Sequence, residues 1–290
     1  MRLYLLLCAG LLLVPRIGLA EPGIELVESF PSGSVNWSKG VLVARGTFTP
    51  ERSATPAEVN PEHNIAMAQQ QAVRNTLRTL QAVRLDSGRR IAQLMAADAQ
   101  IDARVREMAA AARVIEIQPL TIGAVRVAVQ LELLGGFAQL VLPSDIKQVE
   151  SIIQMPAPGR GTPAGTRPSA LPVPPAADGF SGLIVDARGI GAKPALVPLL
   201  LDENGKVVYG PAFISREFAV QHGVCEYERS LEVAARRERV ASHPLTIKGL
   251  RTLQGRECDI VISNVDADRL RDASANLGFL KQCRVIIVMD

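Results

Sequence analysis

The chain has 290 residues, with 32 Lys and Arg against 29 Asp and Glu, for a formal charge of +3. Interspersed signs near balance give no electrostatic footprint for nucleic acid or a strongly anionic surface. Aromatic residues make up 4% and Trp37 is the sole tryptophan, which argues against the stacked rings of sugar clefts and single-strand platforms.

The first twenty residues read as a secretory signal peptide. Arg2 supplies a positive start, Leu3 to Pro15 an apolar run, and Gly18-Leu19-Ala20 the small residues of a cleavage site. Pro15 and Arg16 interrupt the run too early for a bilayer span. The expected mature chain begins at Glu21, periplasmic or otherwise secreted, with no transmembrane segment. Losing Arg2 and Arg16 leaves 30 basic against 29 acidic side chains, a charge of +1. Lipidation of Cys8 is not expected, because Leu7 rather than a small residue precedes it and the apolar run continues past it. Cys225, Cys258 and Cys283 then remain. That odd count allows one disulfide plus a free thiol, or three buried thiols, and is too small for a disulfide scaffold.

About 270 mature residues suggest two domains of ordinary size. The boundary is the run from Met155 to Gly179, whose Pro, Gly, Ala and Thr favour an extended spacer. It is also the expected first site of proteolysis. The organisation read from this is a signal peptide over 1–20, an N-terminal domain over 21–150, a linker over 151–177 and a C-terminal domain over 178–290. Such a spacer lets the domains engage separate partners.

In the N-terminal domain, Val41 and Val43 predict a strand after Trp37. Asn60-Pro61-Glu62 opens a helix, with Asn as cap, Pro at the first helical position and an acid in the first turn. Ile65, Ala68, Ala72, Val73, Thr76, Leu77 and Leu80 recur at helical spacing, and the alanines imply close packing on a sheet. Asp86-Ser87-Gly88 breaks the chain before a second helix carrying Ile91, Leu94, Met95, Ile101, Val105 and Met108. Strands follow at Arg113–Gln118 and Ala124–Leu133, where Val125, Val127, Val129, Leu131 and Leu133 alternate with other residues. Trp37, beside alternating valines, is expected to pack inward as a core anchor; its alternative role is a contact surface.

The C-terminal domain opens with the apolar strand GLIVDAR. Leu199–Leu201 and Val207–Tyr209 flank Asn204-Gly205, a pair suited to the positive φ angles of a tight hairpin. A helix is predicted from Glu228 to Val240. The end reads as a strand at Asp259–Ser263, a helix near Asp266–Leu280 and a buried strand at Arg284–Met289, a parallel crossover. Cys258 and Cys283 each stand just before a strand of that unit, so they are the candidate pair for a disulfide, which an intervening strand would rule out. The fold class expected is α+β, with helices on a mainly antiparallel sheet in the first domain and a mixed α/β sheet in the second.

No motif assigns a catalytic residue, cofactor or metal. His222-Gly-Val-Cys225 has ligand spacing, with His243, Cys258 or Cys283 to complete a site, but a structural zinc site needs a second close pair. Gly189-Ile190-Gly191 follows a strand, yet Pro194 and Pro198 forbid the helix that would receive a phosphate. Gly159-Arg160-Gly161-Thr162 lacks the lysine of a phosphate loop. Asp266-Ala267-Asp268 runs straight into Arg269 and Leu270, and reads as acids at a helix start rather than a calcium loop. Ser144-Asp-Ile-Lys147 lacks the motifs that would support a serine–lysine pair. His63 reads as a solvated or capping residue, and Glu226 and Glu228, near Arg229, as a solvated surface.

Val35-Asn-Trp37-Ser-Lys-Gly40-Val41-Leu-Val43-Ala44-Arg-Gly46, with the Ala66, Ala68 and Ala72 helix and the valine-rich strand pair, resembles the small envelope lipoprotein family of the twenty-kilodalton LPP type. It is similar as well to the N-terminal domain of the flagellar assembly protein T. The resemblance covers about Val35 to Pro143 and implies an exported α+β module without known catalysis. The C-terminal half, with SGLIVDARGIGAKPALVPLLLDENGKVVYG and FLKQCRVIIVMD, resembles uncharacterised exported bacterial proteins. The expectation is a non-enzymatic periplasmic protein that binds envelope proteins, flagellar or outer-membrane ones among them, and no nucleic acid. Two rivals stay open. One is an envelope hydrolase using Asp186, Arg188 and His222; the other is a small-ligand binding module with an enclosed apolar pocket.

Overall fold

The computed structural model describes residues 25–50, 60–146, 179–272 and 274–290. The expected leader and cleavage site, Lys147, Gly159-Arg160-Gly161-Thr162 and the Pro-rich run up to residue 178 lie outside the described residues.

The N-terminal unit begins with a hairpin absent from the sequence-based expectation. β1 (Val27–Phe30) pairs antiparallel with β2 (Gly33–Asn36), and the turn through Trp37 leads to β3 (Val41–Phe48). In α1 (Pro61–Ala82), the Asn60 side chain accepts from the N–H groups of Glu62 and His63 at 3.0 and 3.2 Å, satisfying donors that the first turn leaves free. The buried face of α1 holds Ala68, Ala72, Thr76 and Leu80. A Cβ on Gly46 of β3 would collide with the Ala68 carbonyl oxygen and the Ala72 nitrogen. Helix and strand backbones therefore touch at Gly46, which is what the small residues on both sides permit.

The second predicted helix is two helices, α2 (Ile91–Ala97) and α3 (Ala99–Ala110). Asp98 separates them, ending the first and capping the second through the N–H groups of Gln100 and Ile101. β4 (Arg113–Pro119), β5 (Val125–Glu132) and the short α4 (Gly136–Val141) follow. The sheet is antiparallel throughout, in the order β1-β2-β3-β5-β4.

The C-terminal unit is a seven-stranded mixed sheet. Its elements are β6 (Gly182–Asp186), β7 (Leu199–Leu201), β8 (Val207–Tyr209), α5 (Arg216–His222), β9 (Glu226–Glu228), α6 (Leu231–Ala235), β10 (Pro244–Leu253), β11 (Arg256–Ile262), α7 (Asn264–Asp272), α8 (Ser274–Lys281) and β12 (Val285–Val288). The order is β8-β7-β11-β10-β6-β12-β9. The two-domain α+β architecture, antiparallel in the first unit and mixed in the second, is thus present.

Several finer expectations are corrected. β11 and β12 do not form a parallel crossover. β11 runs antiparallel to β10, while β10 and β12 are both parallel to β6, so β11 and β12 run in opposite directions with two strands between them. Three inter-strand spacings of about 4.8 Å put roughly 14 Å between those strands, twice what a disulfide spans. Cys258 and Cys283 are accordingly free thiols, as is Cys225. In the β7–β8 hairpin only Gly205, at φ +80°, takes a positive φ; Asn204 does not. The helix expected over Glu228–Val240 shrinks to α6, because Glu226–Glu228 pairs with β12 as a strand.

Candidate functional site

The two units meet along a fused seam. Leu196 and Val197 donate backbone N–H groups to the carbonyls of Arg84 and Leu85 at 3.0 and 2.7 Å, and Gly135 donates to Val220 at 2.8 Å. Arg216 reaches from α5 to the carbonyls of Gln139 and Pro143, each at 2.8 Å, satisfying acceptors left open at the end of α4. One hydrophobic cluster runs through both units, including Val35, Trp37, Leu183 and Tyr227. The two units are thus joined along this seam.

Trp37 sits on that seam. It is 5% exposed, its Nε1–H donates to Glu28 Oε2 at 3.0 Å, and its ring meets Tyr227 edge-on with centroids 5.7 Å apart. Glu28 is held in turn by Arg84 at 2.7 Å. The tryptophan is buried, as expected of an anchor, and the surface it contacts belongs to the other unit.

Beside Trp37 the seam opens into a cleft of about 500 Å³. The turn after β2 supplies Lys39 and Gly40, α5 supplies Phe218, Gln221 and His222, β9 supplies Glu226 and Tyr227, and Glu238, Arg239 and Arg284 are also in the lining. Arg239 is fixed by three carbonyls. Its Nε donates to Cys283 at 2.8 Å, Nη1 to His222 at 2.6 Å and Nη2 to Gly223 at 2.7 Å. The Tyr227 hydroxyl donates to the Ala195 carbonyl at 2.7 Å and accepts its N–H at 3.0 Å. Burial pushes the Cys225 thiol up to about 12 and those of Cys258 and Cys283 to about 11. All three are therefore protonated at neutral pH and poor nucleophiles.

Glu226 and Glu228 do not form a solvated surface. Glu228 is 1% exposed, and Arg237 rather than Arg229 bridges both carboxylates, with Nε 3.1 Å from Glu226 and 2.7 Å from Glu228. Burial raises the Glu226 carboxyl above its ordinary value despite the nearby Arg239 and Arg237 charges.

The residues proposed for a hydrolase are not brought together. Asp186 and Arg188 pair with each other at 2.8 Å at the far end of β6. His222 lies beside the start of β12, through Arg239 and Cys283. Since Val285 pairs with Leu183 and Val288 with Asp186, that start is opposite the end carrying Asp186, about 10–13 Å along the strand. His243 stacks on Phe180. Among the described residues no three His, Cys, Asp or Glu side chains form a metal-holding group. Gly189 and Gly191 lie in a turn, at φ +77° and +67°, with no helix after them. Asp266 exchanges hydrogen bonds with Ser263 across the first turn of α7, a reciprocal cap. His63 meets the Phe48 ring edge-on in the first turn of α1.

A larger space of about 1070 Å³ lies elsewhere on the seam, lined among others by Arg89, Arg216, Arg256 and Asp259. Two of its arginines are paired: Arg89 with Asp86 at 2.7 Å, and Arg256 Nε 2.6 Å from Asp259 Oδ2. The latter contact is an ion pair off the line of a hydrogen bond, so Oδ2 counts as unsatisfied while Oδ1 accepts from Ser87 at 2.7 Å. The smaller cleft is the better candidate because its lining holds both a cation, Arg284, and a carboxylate, Glu238, with no side-chain hydrogen bond or ion pair among the described residues. Sequence reasoning does not find Arg239, Arg284 or Tyr227, since neither a side chain bonded to distant backbone carbonyls, as Arg239 and Tyr227 are, nor an unpaired arginine such as Arg284 has a spacing signature.

A family model described as Treponema pallidum Tp0624, second domain, matches residues 182–290. That stretch begins with β6 and covers the C-terminal sheet, to which the similarity is confined. A search of curated proteins gives no match.

Proposed function

We propose that this chain is an exported, non-enzymatic envelope protein that binds other envelope components, outer-membrane or flagellar ones among them, through the cleft between its units. The leader composition and the resemblance of residues 35–143 to envelope modules support the location. The observation that carries the binding reading is that the cleft's tyrosine, thiol and Glu226 carboxylate are committed to structure, while Arg284 and Glu238 have no side-chain hydrogen bond or ion pair among the described residues and stay open to a partner. Tyr227 and Arg239 are tied to backbone, Cys225 is held protonated, and Glu226 is bridged to Arg237. A nucleophile and its base need to be free and mutually oriented. Among the described residues no helix is long and apolar enough to cross a membrane.

A photo-crosslinking residue at Gln221, on the cleft rim, tests the reading in cells. The expected result is a discrete adduct with an envelope component that is absent when the same residue replaces exposed Arg104 on α3. No adduct from Gln221, together with turnover of a cell-wall or peptide substrate by the purified protein, contradicts it.

A further inference from the structure

We propose that the cleft binds the carboxylate end of a short zwitterionic peptide, with Arg284 as the carboxylate-binding residue. The inference rests on the reading of the cleft as the binding surface and adds the class of ligand. The charged groups in the lining differ in their commitments. Lys39 is paired with Glu25 at 2.6 Å and Glu226 with Arg237 at 3.1 Å. Arg284 and Glu238 have no side-chain hydrogen bond or ion pair among the described residues.

Arg239 stands next to Arg284, because its Nε bonds the carbonyl of the peptide joining Cys283 to Arg284. Three of its five N–H groups are used by the carbonyls, leaving two. A free guanidinium and a partly free one lining the same cleft suit a planar carboxylate, which accepts paired N–H donors. The unpaired Glu238 on the same cleft decides between anions. It repels a doubly charged phosphate and attracts an ammonium group, so a ligand carrying both a carboxylate and an amine fits the balance. Phe218, half-buried in the lining, offers apolar surface for the body between them, and a volume of about 500 Å³ lies in the range of small-ligand pockets, roughly 300–1,000 Å³.

The test is affinity selection on the purified mature protein with two copies of one tripeptide library, one with free C-terminal carboxylates and one amidated, and inorganic phosphate as competitor. Selected peptides should come from the carboxylate library, and amidation of each should weaken binding about tenfold or more. Arg284→Gln should weaken them by a similar factor with an unchanged unfolding midpoint, whereas Glu238→Gln should weaken peptides lacking the amine much less. Equal selection from both libraries, or displacement by phosphate at lower concentration than by peptide, overturns the ligand class. The library comparison needs no variant, so a misfolded Arg284→Gln does not blunt it. An adduct at Gln221 without carboxylate selectivity refutes this inference while sparing the binding surface; loss of both refutes the two together.

Discussion

Replacing Trp37 with alanine should destabilise the protein by about 3–5 kcal/mol. The side chain is 5% exposed, and burying a tryptophan removes about 150–250 Å² from water, or roughly 4–6 kcal/mol at 25 cal/mol per Å². Incomplete relaxation of the site and an already compact unfolded chain bring the expectation down to the measured range for such truncations. The edge-on contact with Tyr227 adds about 0.5–1.5 kcal/mol of coupling. Loss of the Nε1–H donor is tolerable, because Arg84 still holds Glu28. Urea unfolding followed by far-ultraviolet circular dichroism measures the total, since the variant has no tryptophan to fluoresce. A double-mutant cycle with Tyr227→Leu isolates the coupling. A loss below about 1 kcal/mol, or additive single effects, would show that Trp37 does not join the units.

Cutting the chain at an inserted protease site between residues 155 and 179 should leave the two pieces associated on size exclusion, because the Leu196, Val197 and Arg216 bonds cross the seam; separate elution would refute the fused architecture. With thiols at about 11 and 12, the thiolate fraction at pH 8 is on the order of one in a thousand or less. The native mature protein should therefore resist a disulfide reagent and yield three thiols only on unfolding; one thiol without reductant would reinstate a bridge. The Arg271 side chain, with backbone N–H groups of Lys206 and Asn204, holds the Asp202 carboxyl below its ordinary value. Its stabilisation is present above the unfolded-chain value and lost as pH falls through the depressed folded value. Asp202→Asn should flatten the acid limb of the stability profile, and an unchanged limb would contradict the assignment.

The legible parts of this fold are those set by local chemistry. Asn60-Pro61 marks a helix start because the cap is local, and Ala68 and Ala72 imply close packing because only small residues let backbones touch. The alternation Leu245, Ile247, Gly249 in β10 is missed by the sequence-based expectation, with Gly255 at φ +71° closing the turn to β11; without that strand, β11 and β12 look like a crossover and their cysteines like a pair. Strand order is a long-range property, and nothing local to Cys258 or Cys283 records that β10 and β6 stand between them. The cleft is illegible for the same reason. Arg239, Arg284 and Trp37 lie far apart in sequence or carry no local signal, and their shared site exists only once the two sheets have joined.

Hydrogen exchange on the purified mature protein, with and without a solubilised envelope fraction, tests the binding role of the cleft most directly. The account predicts new protection at residues 37–40, 221–227 and 282–284 when the fraction is added. Unchanged exchange in those segments, with protection appearing only elsewhere, would contradict it.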